Sequence, residues 1–285
     1  METVYAIELR NITKRFGSVV ANDGICLGLR RGEILSLLGE NGSGKTTLMN
    51  MLAGIYLPDE GEILADGKPI SIRSPKDAFD HKIGMIHQHY KLIDVFTAAE
   101  NIVLGLHDGQ KLDIAATNQK VKEICDRYGF DIDPTQKIYD MSVSQKQTVE
   151  IVKVLYRGAD ILILDEPTAG LDVVARETIL DLLRSYMEQE GRGILISSHI
   201  LSELADLCTS IGVINGGVMV QQGKLENIML AIDSSNPLRI TVLNQVPKAL
   251  ELLRQDPQVS RLSVDENKIA AWFSGSREEE AYLLQ

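Results

Sequence analysis

The sequence predicts an α/β fold built on a mostly parallel sheet, with small antiparallel and helical additions. Three observations lead there. Gly39-Glu40-Asn41-Gly42-Ser43-Gly44-Lys45-Thr46 fills the pattern G-x-x-x-x-G-K-[ST] at every fixed position, between the apolar run Ile34–Leu38 and a helical stretch from Lys45 to Ala53 that Gly54 ends. A second apolar run, Ile161–Leu164, delivers Asp165 and Glu166 at its end, where parallel sheets build their sites. Around both landmarks, strand-like and helix-like periods alternate, as crossover units require.

In chain order, residues 4–9 alternate as a strand, and Val19–Leu29 reads as a second leading into the turn Arg30-Arg31-Gly32-Glu33. Lys14-Arg15-Phe16-Gly17 is expected to connect them. Gly61–Ala65 and Lys68–Ile70 flank Asp66-Gly67, a pair that favours a tight hairpin, so a small antiparallel flap is expected after the first helix. Lys82–Ile86 is a short buried strand running into His87-Gln88-His89. The helical stretches Ala98–Leu104 and Gln119–Tyr128 follow, then Ser144–Tyr156 with Val149, Val152 and Tyr156 at helical spacing, which makes an inserted helical subdomain over about 90–158. Beyond Glu166, a helix presents Ala175, Ile179, Leu182, Leu183 and Tyr186 on one face. A strand Gly193–Ser197 then leads to His199, a short helix runs through Leu207, and the strands Ile211–Ile214 and Val218–Gln222 flank Asn215-Gly216-Gly217. These elements make one domain over 1–233. Ser234-Ser235-Asn236-Pro237 reads as a linker to a small α+β region over 238–285: strand 238–243, helix 247–255, strands 259–264 and 268–273, and a charged helical start at 276–285. A ferredoxin-like tail would want one more strand, so this region is expected to be incomplete.

Composition narrows the classes of function. The net charge of −11 and the lack of clustered Lys and Arg argue against nucleic acid as a partner. Cys26, Cys125 and Cys208 are odd in number and lack metal-ligand spacing, so they read as reduced, mostly core thiols of a cytosolic protein. The N-terminus has no basic and apolar leader, and no apolar run reaches the ~18 residues of a spanning helix. Any membrane role is expected to come through a partner.

The two landmarks specify a chemistry. Glycines let the loop fold tightly enough that successive N–H groups point at phosphate oxygens, Lys45 reaches the β/γ-phosphates, and the Thr46 hydroxyl suits Mg²⁺. The strand before and the helix after place those phosphates at a positive helix N-terminus. Asp165 can hold Mg²⁺ opposite Thr46, while Glu166, one residue further on, is free to orient and polarise an attacking water. Such general-base assistance is typically worth ~10² to 10⁴ in rate. Hydrolysis of a bound polyphosphate is the expected reaction.

From residue 4 to about 230 the sequence resembles the nucleotide-binding subunit of ABC transporters, in the order of its motifs as much as in their content. The fold class the resemblance implies is a P-loop NTPase with an ABC-type ATPase core, an antiparallel flap and an inserted helical subdomain. Its implied cofactors are ATP and Mg²⁺. Phe16 resembles the adenine-stacking aromatic, and Gly39, Glu40, Asn41, Gly42, Ser43, Gly44, Lys45, Thr46 and Thr47 the Walker A loop. Gln88 stands for the glutamine that senses the metal and the attacking water. Asp165 and Glu166 fill Walker B, Ala169–Asp172 the D-loop, and His199 the switch histidine. The resemblance therefore implies Glu166, His199 and Gln88 as catalytic residues and Thr46, Gln88 and Asp165 around the metal. Met141-Ser142-Val143-Ser144-Gln145 stands where the family writes Leu-Ser-Gly-Gly-Gln, so Ser142, Ser144 and Gln145 would face the γ-phosphate held by another subunit. Here the sequence departs from the pattern, and a side chain at Ser144 is expected to crowd that phosphate.

The implied partners are a second cassette and integral-membrane permease subunits, with this chain cytoplasmic and peripheral at the inner face of the cell membrane. Ile86–Gly105 and Met141–Asp165 resemble nucleoside and simple-sugar importers, whereas the stretch from Ser197 onward and the tail are similar to drug and antibiotic-peptide exporters. Soluble relatives that work on ribosomes or DNA are the rival class. The acidic balance and the lack of sustained heptads count against them. A third reading, a weakly hydrolysing regulatory partner, is motivated by Ser144 alone.

Overall fold

In a computed structural model, which describes residues 4–87, 91–106, 113–188, 191–200, 204–228, 238–242 and 245–273, the chain opens with two long antiparallel strands, β1 (Ile7–Phe16) and β2 (Val19–Leu29). After β3 (Ile34–Leu38) and helix α1 (Lys45–Leu52) come β4 (Glu60–Ala65) and β5 (Lys68–Ile70), which complete a four-stranded sheet in the order β2-β1-β4-β5. Asp66 and Gly67 both take positive φ, 47 and 76°, which is the twist that lets two residues join antiparallel strands.

Helix α2 (Pro75–Asp80), β6 (Ile83–Ile86) and the helices α3 (Ala98–Val103), α4 (Ile114–Tyr128) and α5 (Val143–Tyr156) follow. Then come β7 (Ile161–Asp165), α6 (Val173–Met187), β8 (Gly193–Ser198), β9 (Ser210–Asn215) and β10 (Val218–Lys224). They form a six-stranded sheet in the order β10-β9-β3-β8-β7-β6, in which β9, β3, β8, β7 and β6 pair in parallel. That order positions the site. Because β3, β8 and β7 are consecutive neighbours, their C-terminal ends bring the phosphate-loop pattern, His199 and the Asp165-Glu166 pair to one rim.

The sheet is buried on both faces, which is why its strands read as unbroken apolar runs. Side chains alternate along a strand. Ile163 and Leu195 pack with α1 and the four-stranded sheet through Leu48, Met49, Leu9 and Ile25, while Leu162, Leu164, Ile194 and Ile196 pack with α5 and α6 through Ile151, Ile179 and Leu183. The helices α3, α4 and α5 have a cluster of their own around Ile102, Val121, Cys125, Val149 and Val152.

The chain divides into two units, Met1–Gly223 and Lys224–Gln285. The second contains β11 (Leu238–Thr241), α7 (Val246–Gln255), β12 (Val259–Asp265) and β13 (Lys268–Phe273), as an antiparallel sheet in the order β11-β13-β12. The predicted linker Ser234–Pro237 and the helical start at 276–285 lie outside the described residues.

Three expectations need correction. Phe16 is not in a connection but ends β1, where it pairs with Val19 across a two-residue turn. Helix α4 starts at Ile114, well before Gln119, because the Asp113 carboxylate accepts from Ala116 N and caps the helix there. Of the short helix expected to run through Leu207, Leu204–Leu207 is turn, and residues 201–203 lie outside the described residues. The cysteines are mostly core thiols, as expected: Cys125 and Cys208 are buried, which pushes their pKa up to about 11, and Cys26 is exposed.

Candidate active site

The phosphate-loop pattern leaves β3 and turns into α1 through Gly39 and Gly44, where no side chain fits. Gly44 has φ 103°, and a Cβ there would strike Ala21 O and Asn22 Nδ2; one at Gly39 would strike Ile214 O. Gly44 is also the N-cap of α1, and no side chain caps the helix. Its first backbone N–H groups therefore remain available to a ligand, with the positive end of the helix dipole behind them. From outside, the loop is held by Asn22, whose Nδ2 donates to Gly44 O at 3.2 Å, and by Gly217 N, which donates to Ser43 O at 3.0 Å.

A cleft of about 370 Å³ lies over this loop, within the range of small-ligand sites. Asn41, Gly42, Gly44, Lys45, Thr46 and Thr47 line one side, with Val19–Ala21, Gly216 and Gly217 around them and Glu166 and His199 across. Lys45, 5% exposed, donates through Nζ to Gly39 O at 2.6 Å and Glu40 O at 3.1 Å, and lies 3.7 Å from Glu166 Oε1. The Thr46 hydroxyl donates to Asp165 Oδ1 at 3.2 Å. His199 Nδ1 is 2.8 Å from Glu166 Oε2. An ionised carboxylate only accepts, so in this pair the imidazole carries its proton on Nδ1. Two consecutive residues of α1 thus face the two consecutive carboxylates that end β7.

Of the residues read from the sequence, the Gly39–Thr47 segment, Asp165, Glu166 and His199 come together here. Phe16 does not line the cleft. It packs edge-to-face on Tyr56 with ring centroids 5.1 Å apart, and Lys14 Nζ lies 5.5 Å from its centroid. Ser142, Ser144 and Gln145 also lie outside the cleft, at the start of α5. Ser142 is the N-cap: its hydroxyl accepts from Gln145 N at 3.2 Å while Gln145 Oε1 accepts from Ser142 N at 3.0 Å, a reciprocal capping box. Ser144 sits inside that first turn with negative φ, and its carbonyl accepts from Thr148 Oγ1. Gln88 lies outside the described residues.

Two residues escaped the sequence reading. Asn22 is fully buried under the loop, and Ser197, at the end of β8, bonds to both carboxylate residues, accepting from Glu166 N at 3.0 Å and donating to Asp165 Oδ1 at 2.6 Å. A serine closing the apolar run Ile194–Ile196 was the available signal.

A sequence profile described as ABC transporter matches residues 23–169. The chain is 45% identical over 226 residues to the nucleoside import ATP-binding protein NupA of Lactococcus lactis, and 46% identical over 215 residues to the guanosine import ATP-binding protein NupO of Bacillus subtilis. These alignments cover 79% and 75% of this chain but only 44% and 42% of those proteins, so the chain spans less than half the length of the curated relatives it matches. Among solved structures, it superposes on cbiO1 of Clostridium perfringens, part of the ABC transporter complex cbiONQ, with a TM-score of 0.69 at 29% identity, covering 79% of this chain and 91% of that one. The dimeric structure of MJ0796, a bacterial ABC transporter cassette, matches with a TM-score of 0.66 at 26% identity, covering 77% and 98%.

Proposed function

Since the chain belongs to the ABC transporter family, we propose that it is an ATP-binding and ATP-hydrolysing subunit that powers import of a nucleoside or simple sugar through a membrane transporter. One observation carries the reading: the rim shared by β3, β8 and β7 sets Lys45 and Thr46 against Glu166 and Asp165, with His199 on Glu166. The loop N–H groups and Lys45 hold the phosphates. Glu166 accepts the proton of the attacking water, and His199 fixes the carboxylate that does so. The Thr46 hydroxyl and the Asp165 carboxylate, 3.2 Å apart, are hard oxygen donors that suit Mg²⁺. When bound, that ion would neutralise charge on the transferring phosphoryl group.

The working unit in this reading is a pair of cassettes clamped on two ATP molecules. Its support is that Ser142, Ser144 and Gln145 lie outside the cleft of their own chain. Among the described residues no helix is long and apolar enough to cross a membrane. We assign the crossing to integral-membrane permease subunits, with this chain peripheral at the cytoplasmic face. Steady-state phosphate release from the purified chain with ATP and Mg²⁺ tests the activity, and no release above a Lys45→Ala blank would refute it. For the pair, Glu166→Gln with ATP and Mg²⁺ is expected to run as a dimer by size-exclusion light scattering; a monomer at every concentration counts against it.

Ser144 supplies a further expectation. Its ordinary helical backbone leaves no strained φ for glycine to relieve, so any gain from Ser144→Gly must come from removing side-chain bulk near the partner's phosphate. We expect kcat at saturating ATP to rise, by less than the roughly hundredfold that one transition-state donor is worth. A rate at or below that of the parent chain would make Ser144 a working variant.

A further inference from the structure

We propose that Ser197 is a positioning residue that divides the labour between the two adjacent carboxylates at the end of β7, an inference that rests on the ATP-hydrolysing reading above. Successive strand residues point to opposite faces, so two neighbouring carboxylates should diverge. Asp165 and Glu166 instead both reach α1, Asp165 Oδ1 lying 3.2 Å from Thr46 Oγ1 and Glu166 Oε1 3.7 Å from Lys45 Nζ. What breaks the alternation is the backbone at Glu166, whose φ of 49° lies in the left-handed region that non-glycine residues seldom occupy. Such a conformation persists only where its surroundings hold it.

Ser197 supplies that hold. It pairs with Asp165 in the parallel β7/β8 register, is fully buried, and lies within hydrogen-bond reach of both residues at once. Its Oγ accepts from Glu166 N at 3.0 Å, fixing the turned backbone, and donates to Asp165 Oδ1 at 2.6 Å, pinning that carboxylate toward Thr46. A hydroxyl has one proton and two lone pairs, so a single side chain performs both tasks, and an alanine or valine performs neither. Neighbouring Ser198 is spent differently, its Oγ exchanging bonds with Ile200 beyond the histidine. Ser197 needs no contact with nucleotide: it acts through the placement of Glu166 and Asp165.

The experiment compares the purified parent chain with Ser197→Ala and Ser197→Thr. It measures kcat at saturating ATP, the Kd for ATP, and amide hydrogen exchange over residues 160–170 without nucleotide. Ser197→Ala is expected to lower kcat about tenfold or more, because small misplacements of a reacting group are costly. Its Kd should stay within about twofold, the split that separates positioning from binding. The Glu166 amide should exchange faster. Ser197→Thr, which keeps the hydroxyl, should restore both kcat and protection. Ser197→Cys, close in size and a weak hydrogen bonder, replaces the alanine variant if that one does not fold. Parent-like kcat and exchange in Ser197→Ala overturn the proposal. If the parent itself releases no phosphate, the functional reading fails, and exchange at Glu166 still decides the hydroxyl's role: unchanged protection overturns it.

Discussion

Glu166→Gln is expected to lower the kcat of ATP hydrolysis by about 10² to 10⁴, the usual worth of a positioned general base, while ATP still binds. The amide is nearly isosteric with the carboxylate, and its oxygen can still accept from His199 Nδ1, so the side chain has reason to stay where it is. What disappears is the basicity that takes the proton from water. Binding should survive because Lys45 keeps its bonds to Gly39 O and Glu40 O and the loop keeps its N–H groups, none of which involves Glu166. Single-turnover phosphate release alongside an equilibrium binding titration checks both halves. A variant that loses affinity as much as turnover would mean Glu166 holds nucleotide and is not the base.

The parts of this site that could be read from the sequence are those where chemistry constrains several neighbouring residues at once. Gly39 and Gly44 are needed for a backbone path that Ile214, Ala21 and Asn22 leave open to nothing larger, and Gly42 for its positive φ, so the loop leaves a dense local pattern. The Asp165-Glu166 pair was legible because β7 is buried on both faces and ends abruptly in charge. Phe16 was misplaced for a local reason too. The β1–β2 ladder shifts register between Leu9 and Ile12 and twice more before Phe16, so the period of two on which strand reading depends is broken just where the strand continues. Helix α4 was cut short because Ile114-Ala-Ala-Thr has little amphipathic contrast, although Asp113 three residues before Ala116 was a usable start signal. At α5 the Ser142–Gln145 spacing serves two ends, since the residues assigned to a neighbour's nucleotide also close a capping box on their own helix. Ser197 could be picked out as a serine closing an apolar strand, but its role could not: its partners are 31 and 32 positions away and meet it only because β7 and β8 are sheet neighbours, which no local period encodes.

Lys45→Ala is expected to abolish ATP binding at concentrations that saturate the parent chain, a loss of roughly a hundredfold or more in Kd, about 3 kcal/mol and upward. Three features make the effect large. The Lys45 side chain is only 5% exposed, so its attraction for phosphate is little screened by water. Its reach is set by a helix whose other first-turn contacts are backbone N–H groups, which the substitution leaves in place but which carry no full charge. And Glu166 Oε1, buried with no hydrogen-bond partner, has the Lys45 ammonium 3.7 Å away as its nearby counter-charge; removing that charge leaves this oxygen facing the incoming phosphates, with His199 holding only Oε2. The last feature distinguishes this site from a simple loss of one contact. If repulsion from Glu166 contributes, the double variant Lys45→Ala with Glu166→Gln should recover part of the ATP affinity lost by Lys45→Ala, while turnover stays absent. Full additivity of the two affinity changes would show that Lys45 acts on phosphate independently of Glu166, and retained binding in Lys45→Ala would remove the lysine from the site altogether.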